Sequence, residues 1–592
     1  MDADARDALK LLLAKGYLPI QLPPEFSSES FSSNIGQYED SWQREEERLA
    51  KKKAPLMTQP ERFSVPRSSY YRRNTAIVNP IGFFFLAREI AIHWRKLEDH
   101  YAKSSLSRSV PTLDGSLRAI QLRKFSELYE EKIVSSAGFR YALITDITSF
   151  FPTIYTHTLP WALHGKAVAK RNRSRNSQVY FGNALDARSM QIQDGQTIGL
   201  PIGPDTSHIL AELIGVAIDE KLESVLSCKP AGFRYVDDFF LFFSSRDEAE
   251  KALAAVIRSV SSFELQINPA KTRVIEVREL VDESWKYAVK RLDIRAKRKL
   301  QRDDIHHYFS SLFSMEGQFK DESLIKYGLK QASSSIVKKS NWSVFESYLL
   351  KCGFGFPNTI QIISQILVTY NYHGYPLDLN AISTFCNGLL ASAASTDRHG
   401  EVAWLLWLCK KLDVKVEDSV VREVSRMDSP VCTIILLDLC SRDLANRSLI
   451  KGLREYAKES ALMGPGWMLA YEGGCRDWLG VDNYTYIEEH PFFSRLNDAG
   501  IKFYNEGASF RPIFHFREDR EGQVGFDFDS DDVISDEFEF DELDEEYFDS
   551  VDEEDEEDEE DEEDEEDEED EEDEEDEEDE EDEEDEEDEE DG

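Results

Sequence analysis

The chain has 592 residues, of which 41% are hydrophobic, and this is enough for several domains with apolar cores. Its net charge of −50 is unevenly spread, because residues 526–592 hold 53 of the 118 acidic residues and no Lys or Arg. The other 65 acidic residues stand against 68 basic ones, so residues 1–525 are nearly neutral and have room for basic patches.

The cysteines and the apolar runs exclude other classes of protein. Seven scattered cysteines form no CxxC pair, so neither a zinc site nor a disulfide framework is expected. No apolar run reaches about 18 residues, and the first residues lack a basic-then-apolar signal pattern. We therefore expect a cytoplasmic protein with no membrane partner.

The elements of the first half of the chain follow a regular order. Residues 1–60 form an N-terminal extension with one amphipathic helix near 5–15, followed by the proline-rich segment GYLPIQLPPEF. From residue 61 to 280, strands and helices alternate, which predicts an α+β domain with helices on one face of a sheet. The strands are predicted at 140–147, at 233–243 as a hairpin, and within 264–277 as strand, turn and strand. The helices are predicted at 81–94, 205–222 and 246–260.

Strand signals stop after residue 280. Residues 281–302 predict a basic helix, and 303–510 predict stacked helical pairs in a helical-repeat-like domain. Residues 511–592 read as a linker and a disordered polyacidic tail, because 552–591 are unbroken Asp and Glu without an apolar face.

The stretch FRYVDDFFLFF at 233–243 contains two adjacent carboxylates, Asp237 and Asp238, flanked on both sides by aromatic and apolar residues. A solvated turn is the ordinary explanation of such a pair. The aromatic flanks favour a buried hairpin instead, and buried like charges need a cation. Mg²⁺ is the natural partner, and Asp146 at the end of RYALITDI can supply a third carboxylate from a neighbouring strand.

These boxes carry a resemblance to a known family. DITSFF, GLPIGP, RYVDD and LQINPAKT, in this order and spacing, resemble the palm of a reverse transcriptase. GYLPIQLPPEF, HTLPWALHGK and GLPIGPDTSHILAEL are similar to the bacterial abortive-infection and defence-associated reverse transcriptases. The resemblance covers about residues 15–280, continues loosely to HPFFSRLNDAGIKFY at 490–504, and leaves out the tail. It implies right-hand polymerase fingers and palm over 61–280, and a thumb-like helix at 281–302.

The resemblance also implies metal ligands. Asp146 and Asp237 are the principal ligands, Asp238 supports them, and Ile147 offers its backbone carbonyl. The implied cofactor is Mg²⁺, with Mn²⁺ as a substitute.

Two further residues match the family's catalytic centre, each beside an ordinary structural explanation. Phe151 matches the aromatic gate that selects deoxynucleotides, although core packing explains it equally well. Lys271 in NPAKT matches the lysine that protonates pyrophosphate, although an exposed turn lysine is as good an explanation.

Four residues are implied to hold the nucleotide. Arg72 and Arg73 match the basic finger segment that grips the triphosphate, and Gly203 and Pro204 shape the loop behind the incoming base pair. The sequence departs from the common pattern at Ile202, where the family usually has Gln, and this puts the reading of a conventional template in doubt.

Basic clusters at 51–53, 166–175 and 286–302 contact nucleic-acid phosphates or form solvated faces. The expected partners are dNTPs and nucleic acid, as RNA template or non-coding RNA and as DNA product. A homo-oligomer or a protein from the same operon is also expected. The acidic tail is either a solvated, disordered segment or a mimic of the phosphate backbone that binds the basic clefts and restrains activity.

Three functions follow from these observations. The first is an RNA-directed or template-independent DNA polymerase, serving antiphage defence by resemblance alone. The second is a non-catalytic nucleic-acid-binding or scaffold protein that keeps a polymerase fold, and three clustered carboxylates argue against it. The third, an RNA-synthesising polymerase, is opposed by Phe151.

Overall fold

The computed structural model describes residues 1–54, 56–123, 125–175, 177–280, 284–295, 299–518 and 524–528. Residues 1–543 form one compact unit. Residues 544–592 form a second unit, which lies outside the described residues, as does most of the predicted linker and all of the polyacidic run.

Residues 1–290 contain helices and short strands, and the first strand follows the three helices of the N-terminal extension. The helices are α1 (Ala3–Lys15), α2 (Glu29–Ser33), α3 (Ile35–Lys51), α4 (Pro80–Tyr101), α5 (Phe125–Ser136), α6 (Phe150–Thr153), α7 (Thr158–His164), α8 (Lys166–Arg171), α9 (Gly182–Gln191), α10 (Asp205–Leu226), α11 (Arg246–Ser261) and α12 (Ser284–Lys290). The strands are β1 (Glu61–Pro66), β2 (Arg72–Ile77), β3 (Thr112–Leu113), β4 (Ile120–Gln121), β5 (Tyr141–Asp146), β6 (Ala231–Tyr235), β7 (Asp238–Phe243) and β8 (Arg273–Glu276).

The central element is a four-stranded antiparallel sheet in the order β6-β7-β5-β8. Strands β6 and β7 form the predicted hairpin, and β5 pairs with β7 on one side and with β8 on the other, with Ala142 and Leu143 in the core. Helix α11, which begins with a capping box of Ser245 and Glu248, packs across β5 and β7. Within 264–277, the first predicted strand is reduced to an isolated bridge at Ile267, and the second predicted strand is β8.

The N-terminal extension is part of the main unit. Phe26 pairs with Tyr504 in an isolated antiparallel bridge, and the indole of Trp42 donates to the Phe492 carbonyl at 3.1 Å. Both residues of the extension therefore pack against the segment 490–504 near the other end of the described chain. Sequence separation hides such contacts, since they depend on the assembled core.

The residues after 298 are largely helical, as predicted, while a regular repeat remains a prediction. The helices are α13 (Gln301–Phe319), α14 (Ser323–Ser333), α15 (Trp342–Gly355), α16 (Ile360–Tyr372), α17 (Leu379–Ala394), α18 (His399–Lys411), α19 (Asp418–Val424), α20 (Pro430–Ser441), α21 (Glu459–Met463), α22 (Trp467–Gly474), α23 (Thr485–Glu488) and α24 (Phe493–Asp498). Among the described residues, no helix combines the length and apolarity that a bilayer crossing requires.

Two predictions of the sequence differ from the structure. The single basic helix over 281–302 is interrupted, because α12 ends at Lys290 and residues 291–295 turn away to bury Ile294. The linker predicted from 511 begins with ordered chain, since strands β9 (Phe514–Glu518) and β10 (Val524–Phe528) pair and the ring of Phe514 is fully buried. The apolar ring of Phe514 explains why the chain is folded at this point, because the ring stacks on the imidazole of His373.

Candidate active site

Three carboxylates meet at one end of the central sheet. Asp146 is the last residue of β5, and the strand register sets it directly opposite Asp238, the first residue of β7. Asp237 lies in the two-residue turn between β6 and β7, and its carbonyl accepts a hydrogen bond from the Ile147 amide at 3.2 Å. The Asp146 carbonyl accepts in turn from the Asn268 amide at 2.8 Å. Backbone hydrogen bonds therefore bring the predicted carboxylates and Ile147 together.

The electrostatics of these groups reflect their proximity. Burial, together with the charges of Asp238 and Asp146, raises the pKa of Asp237 to about 7. The ammonium of Lys271 lies 2.9 Å from Asp146 Oδ2. Partial burial opposes the charge on Lys271, but the hydrogen bond to Asp146 and the neighbouring carboxylates outweigh it and raise the pKa of the lysine. Lys271 therefore stays protonated at neutral pH and faces the carboxylates.

The donor set has the chemistry that Mg²⁺ requires, since carboxylate oxygens are its preferred protein ligands. Asp146 Oδ1 is buried and makes no hydrogen bond, which leaves one oxygen available for a cation. Over the described ranges, however, no three His, Cys, Asp or Glu side chains are arranged as a ready metal site. The ligands are therefore of the right kind and adjacent, while the side chains must still converge to hold an ion.

Phe151 lies directly behind the end of β5, in the four-residue helix α6. Its ring meets the ring of His208 edge-on, with the centroids 4.9 Å apart. Burial, with smaller effects of nearby charges that include Arg73, lowers the pKa of His208 to about 4. His208 is therefore neutral at physiological pH, and Arg73 lies within electrostatic reach of the wall that Phe151 and His208 form.

Arg72 faces away from the carboxylates. Its guanidinium forms a bidentate pair with Glu401 of α18, at 2.6 and 2.7 Å, and also bonds to Ser64. Glu401 is 2% exposed and Arg72 22% exposed, so the pair is largely withdrawn from water. The structure thus places the two predicted triphosphate arginines in different environments.

The predicted loop of Gly203 and Pro204 leads into α10. Gly203 has φ +125°, in the region that favours glycine, and a Cβ there would lie 2.9 Å from Pro19. Arg118 donates to the Gly203 carbonyl at 2.8 Å and to the buried carboxylate of Asp205. The conformation of the loop is therefore fixed by an arginine from outside the predicted motifs.

Two further residues beside the carboxylates lie within LQINPAKT and RYVDD, but the sequence alone gave them no role. Asn268 reaches Asp146 with its side chain at 3.5 Å as well as with its amide. Arg234 lies fully buried directly before the turn. A charged residue inside an apolar strand indicates a buried partner of opposite charge, so the sequence contained a signal at Arg234. No local pattern in the sequence indicates that Glu401 pairs with Arg72.

A family comparison identifies the class of domain in which these carboxylates lie. Residues 92–298 match the family model described as reverse transcriptase (RNA-dependent DNA polymerase), so the chain contains a reverse transcriptase domain that includes the carboxylates. No curated protein matches the chain.

Among solved structures, the apo telomerase from Candida tropicalis is similar at 12% identity and a TM-score of 0.29. The likeness covers 59% of this chain and 68% of that chain. At this score it supports no conclusion about fold or function.

Proposed function

We propose that the protein is a DNA polymerase of the reverse transcriptase type, which adds dNTPs by two-metal phosphoryl transfer on an RNA template or without a template. The observation that carries the proposal is the meeting of Asp146, Asp237 and Asp238 beside Lys271 at the end of the sheet. A cluster of like charges in a half-buried place costs free energy unless a cation joins it.

The carboxylates would hold Mg²⁺ or Mn²⁺, with Asp146 and Asp237 as the principal ligands and Ile147 offering its carbonyl. When bound, such ions activate a 3′-hydroxyl and stabilise the charge of leaving pyrophosphate. Lys271, protonated and next to Asp146, is placed to donate a proton or a positive charge to that leaving group.

Phe151 and Arg73 would select and hold the nucleotide. The ring of Phe151 is fixed between Phe150 and His208, so it cannot swing aside for a 2′-hydroxyl. Arg73 would contact the triphosphate, whereas Arg72 is committed to Glu401. Gly203 and Pro204 would support the base pair from behind.

The biological setting is also part of the proposal. Antiphage defence and a homo-oligomer or operon-encoded partner rest on the resemblance to the bacterial defence enzymes, whereas a cytoplasmic location rests on the cysteine usage and the apolar pattern of the sequence. The nucleic-acid partners would meet basic residues around the domain, such as the cluster at 166–171, which forms α8.

One observation favours a second candidate function, a non-catalytic nucleic-acid-binding protein. In the described part of the chain, no set of three acidic or histidine side chains converges on a metal position, and Lys271 already neutralises Asp146. A nucleic-acid-binding protein that keeps a polymerase fold does not require carboxylates arranged to hold a metal ion.

Nucleotide incorporation distinguishes the two candidates. Purified full-length protein is offered each labelled dNTP and NTP with Mg²⁺ or Mn²⁺, with and without nuclease pretreatment, beside an Asp237→Ala/Asp238→Ala variant. Incorporation of dNTPs that is lost in the variant supports the polymerase, and its dependence on nuclease shows whether a nucleic-acid template is used. Metal-independent nucleic-acid binding without incorporation, unchanged in the variant, supports the binder.

A further inference from the structure

We propose that a buried network of Arg234, Glu212 and Ser109 is the positioning device that holds the turn carrying Asp237. The inference rests on the proposed function, because it assigns residues that place a catalytic carboxylate. Arg234 and Glu212 lie within the segments RYVDD and GLPIGPDTSHILAEL, but the resemblance gives neither of them a role, and Ser109 lies outside these motifs.

The turn needs to be held because its first residue is strained. Val236 has φ +51°, in the left-handed region. A β-branched side chain is disfavoured there, and such a conformation persists only where the surroundings impose it. Because Asp237 follows directly, the conformation of Val236 decides where that carboxylate lies.

The network binds both backbone polar groups of Val236. The Val236 amide donates to Ser109 Oγ at 2.8 Å, and the Val236 carbonyl accepts from Arg234 Nη1 at 2.7 Å. Ser109 Oγ donates in turn to Glu212 Oε2 at 3.0 Å. Ser109 and Arg234 therefore bind the amide and the carbonyl of Val236, and both are hydrogen-bonded to Glu212.

Arg234 is itself fixed in one orientation. All five of its N–H donors are used, because the guanidinium also forms paired hydrogen bonds with Glu212 and Asp219, between 2.8 and 3.1 Å. Arg234 and Asp219 are fully buried and Glu212 is 4% exposed, so water does not compete for these bonds. A planar guanidinium with every donor engaged is a rigid support for the Val236 carbonyl.

The helix beneath has room for this guanidinium because of one glycine. Gly215 lies between Glu212 and Asp219 on the same face of α10, and a Cβ there would lie 2.6 Å from Arg234 Nη1. Any larger residue would displace the guanidinium. Glycine in a helix interior is less favourable than alanine, and here it leaves the space that the arginine occupies.

The serine allows a mild test, because removing a buried arginine or glutamate risks unfolding the protein. Ser109→Ala deletes only the hydroxyl that accepts from Val236. The matched control is Ser107→Ala, since Ser107 Oγ also donates to Glu212, at 2.6 Å, and accepts from the Ser109 amide at 3.2 Å, but does not bond to Val236. Both variants are made in the full-length chain, together with Ser109→Thr, which restores a hydroxyl.

Two readouts are measured, hydrogen exchange of the peptide covering 233–241 and steady-state dNTP incorporation. Relative to Ser107→Ala, we expect Ser109→Ala to exchange the hairpin faster and to lower kcat about 10- to 100-fold, with an unchanged KM for dNTP and an unchanged unfolding midpoint. Ser109→Thr should recover most of kcat. Equal behaviour of the two alanine variants, or faster exchange with an unaltered kcat, would overturn the inference.

A second pair of variants tests the space that Gly215 of α10 leaves for the guanidinium of Arg234. Gly215→Ala should lower kcat by a similar factor, although alanine favours the helix. Gly317→Ala in α13, where a Cβ meets no atom within 4 Å, is its control. Equal kcat in the two glycine variants would count against the inference.

The design separates this inference from the proposed function. If the wild-type protein incorporates no nucleotide under any condition, the proposed function fails, and hydrogen exchange alone decides the inference. Faster hairpin exchange in Ser109→Ala only would then uphold it, and equal exchange in both alanine variants would overturn it.

Discussion

The central sheet and the helical region treat buried charge in opposite ways. In the helical region, Lys410 is 2% exposed and its ammonium lies 2.7 Å from Asp438 and 3.2 Å from Glu25. At the end of the sheet, Asp237 and Asp238 lie side by side, and the pKa of Asp237 rises to about 7. The first arrangement is neutralised by its own chain, whereas the second keeps an excess of negative charge.

This difference shows which buried charges serve the fold. Burial opposes ionisation of Asp438, but hydrogen bonds from Lys410 and Tyr504 outweigh it and lower the pKa of that carboxyl. Such a group holds segments of the chain together. At the end of the sheet, burial and the neighbouring carboxylates instead raise the pKa of Asp237, although Lys271 pairs with Asp146, and a carboxyl shifted in this way is typical of a functional site.

The largest expected effect is the loss of activity in Asp237→Asn. We expect dNTP incorporation to fall at least about 10³-fold, because the metal loses a charged ligand. The unfolding midpoint should stay equal or rise, since the substitution removes a buried like charge. Incorporation assays and thermal unfolding measure the two effects.

The matched control is Asp247→Asn, an exposed aspartate of α11 that pairs with Lys251. It should change neither quantity. A strong loss of stability in Asp237→Asn would contradict the comparison, because it would give the carboxylate a structural role.

The second effect tests the opposite arrangement. Lys410→Met leaves Glu25 and Asp438 buried without this cation, so the free energy of unfolding should fall by about 3–5 kcal/mol. Urea titration measures the change, and Lys451→Met, whose ammonium lies on the surface at the Ser448 carbonyl, is the control. Unaltered stability with lost incorporation would reverse the assignment of the two regions.

Glu61 represents a third arrangement, in which a buried carboxyl is kept protonated. The carboxyl accepts from the Val431 amide at 3.2 Å and from Ser429 Oγ at 3.3 Å, and burial raises its pKa to about 8. Because the folded pKa lies above the unfolded one, the protonated group's contribution is complete below about pH 4.5 and is lost as pH rises through about 8.

Glu61→Gln should therefore flatten the pH dependence of stability. The wild-type free energy of unfolding should fall by up to about 1.4 kcal/mol per pH unit between about pH 5 and pH 8, and the variant should lack this slope. Denaturant titrations at several pH values measure it. Parallel slopes in the two proteins would show that Glu61 is ionised in the fold.

The smallest expected effect concerns the contact between the two regions. Arg72→Ala and Glu401→Ala should each lower the free energy of unfolding, and their double-mutant cycle should give a coupling of about 1–3 kcal/mol. Arg73→Ala should leave stability unchanged and raise the KM for dNTP. A raised KM in Arg72→Ala without coupling to Glu401 would return Arg72 to the triphosphate site.

Much of the fold was predictable because its signals are local. Helix α10 follows Gly203-Pro204, and the β6–β7 hairpin follows an apolar alternation broken by two aspartates. The interruption after Lys290 was not predictable, because the burial of Ile294 depends on helices that follow in the sequence. The seven cysteines all lie in the described chain as free thiols, as the absence of a CxxC pair indicated.

The sequence by itself determined the carboxylates, their order, and the lysine that meets them, because strand ends and turns are encoded within a few residues. Only the tertiary structure decided which charges are neutralised. Arg72 meets Glu401 across 329 positions, and Arg234 meets Glu212 through the packing of a strand on a helix. Charge pairing at such separations depends on how apolar faces assemble, and no local pattern contains that information.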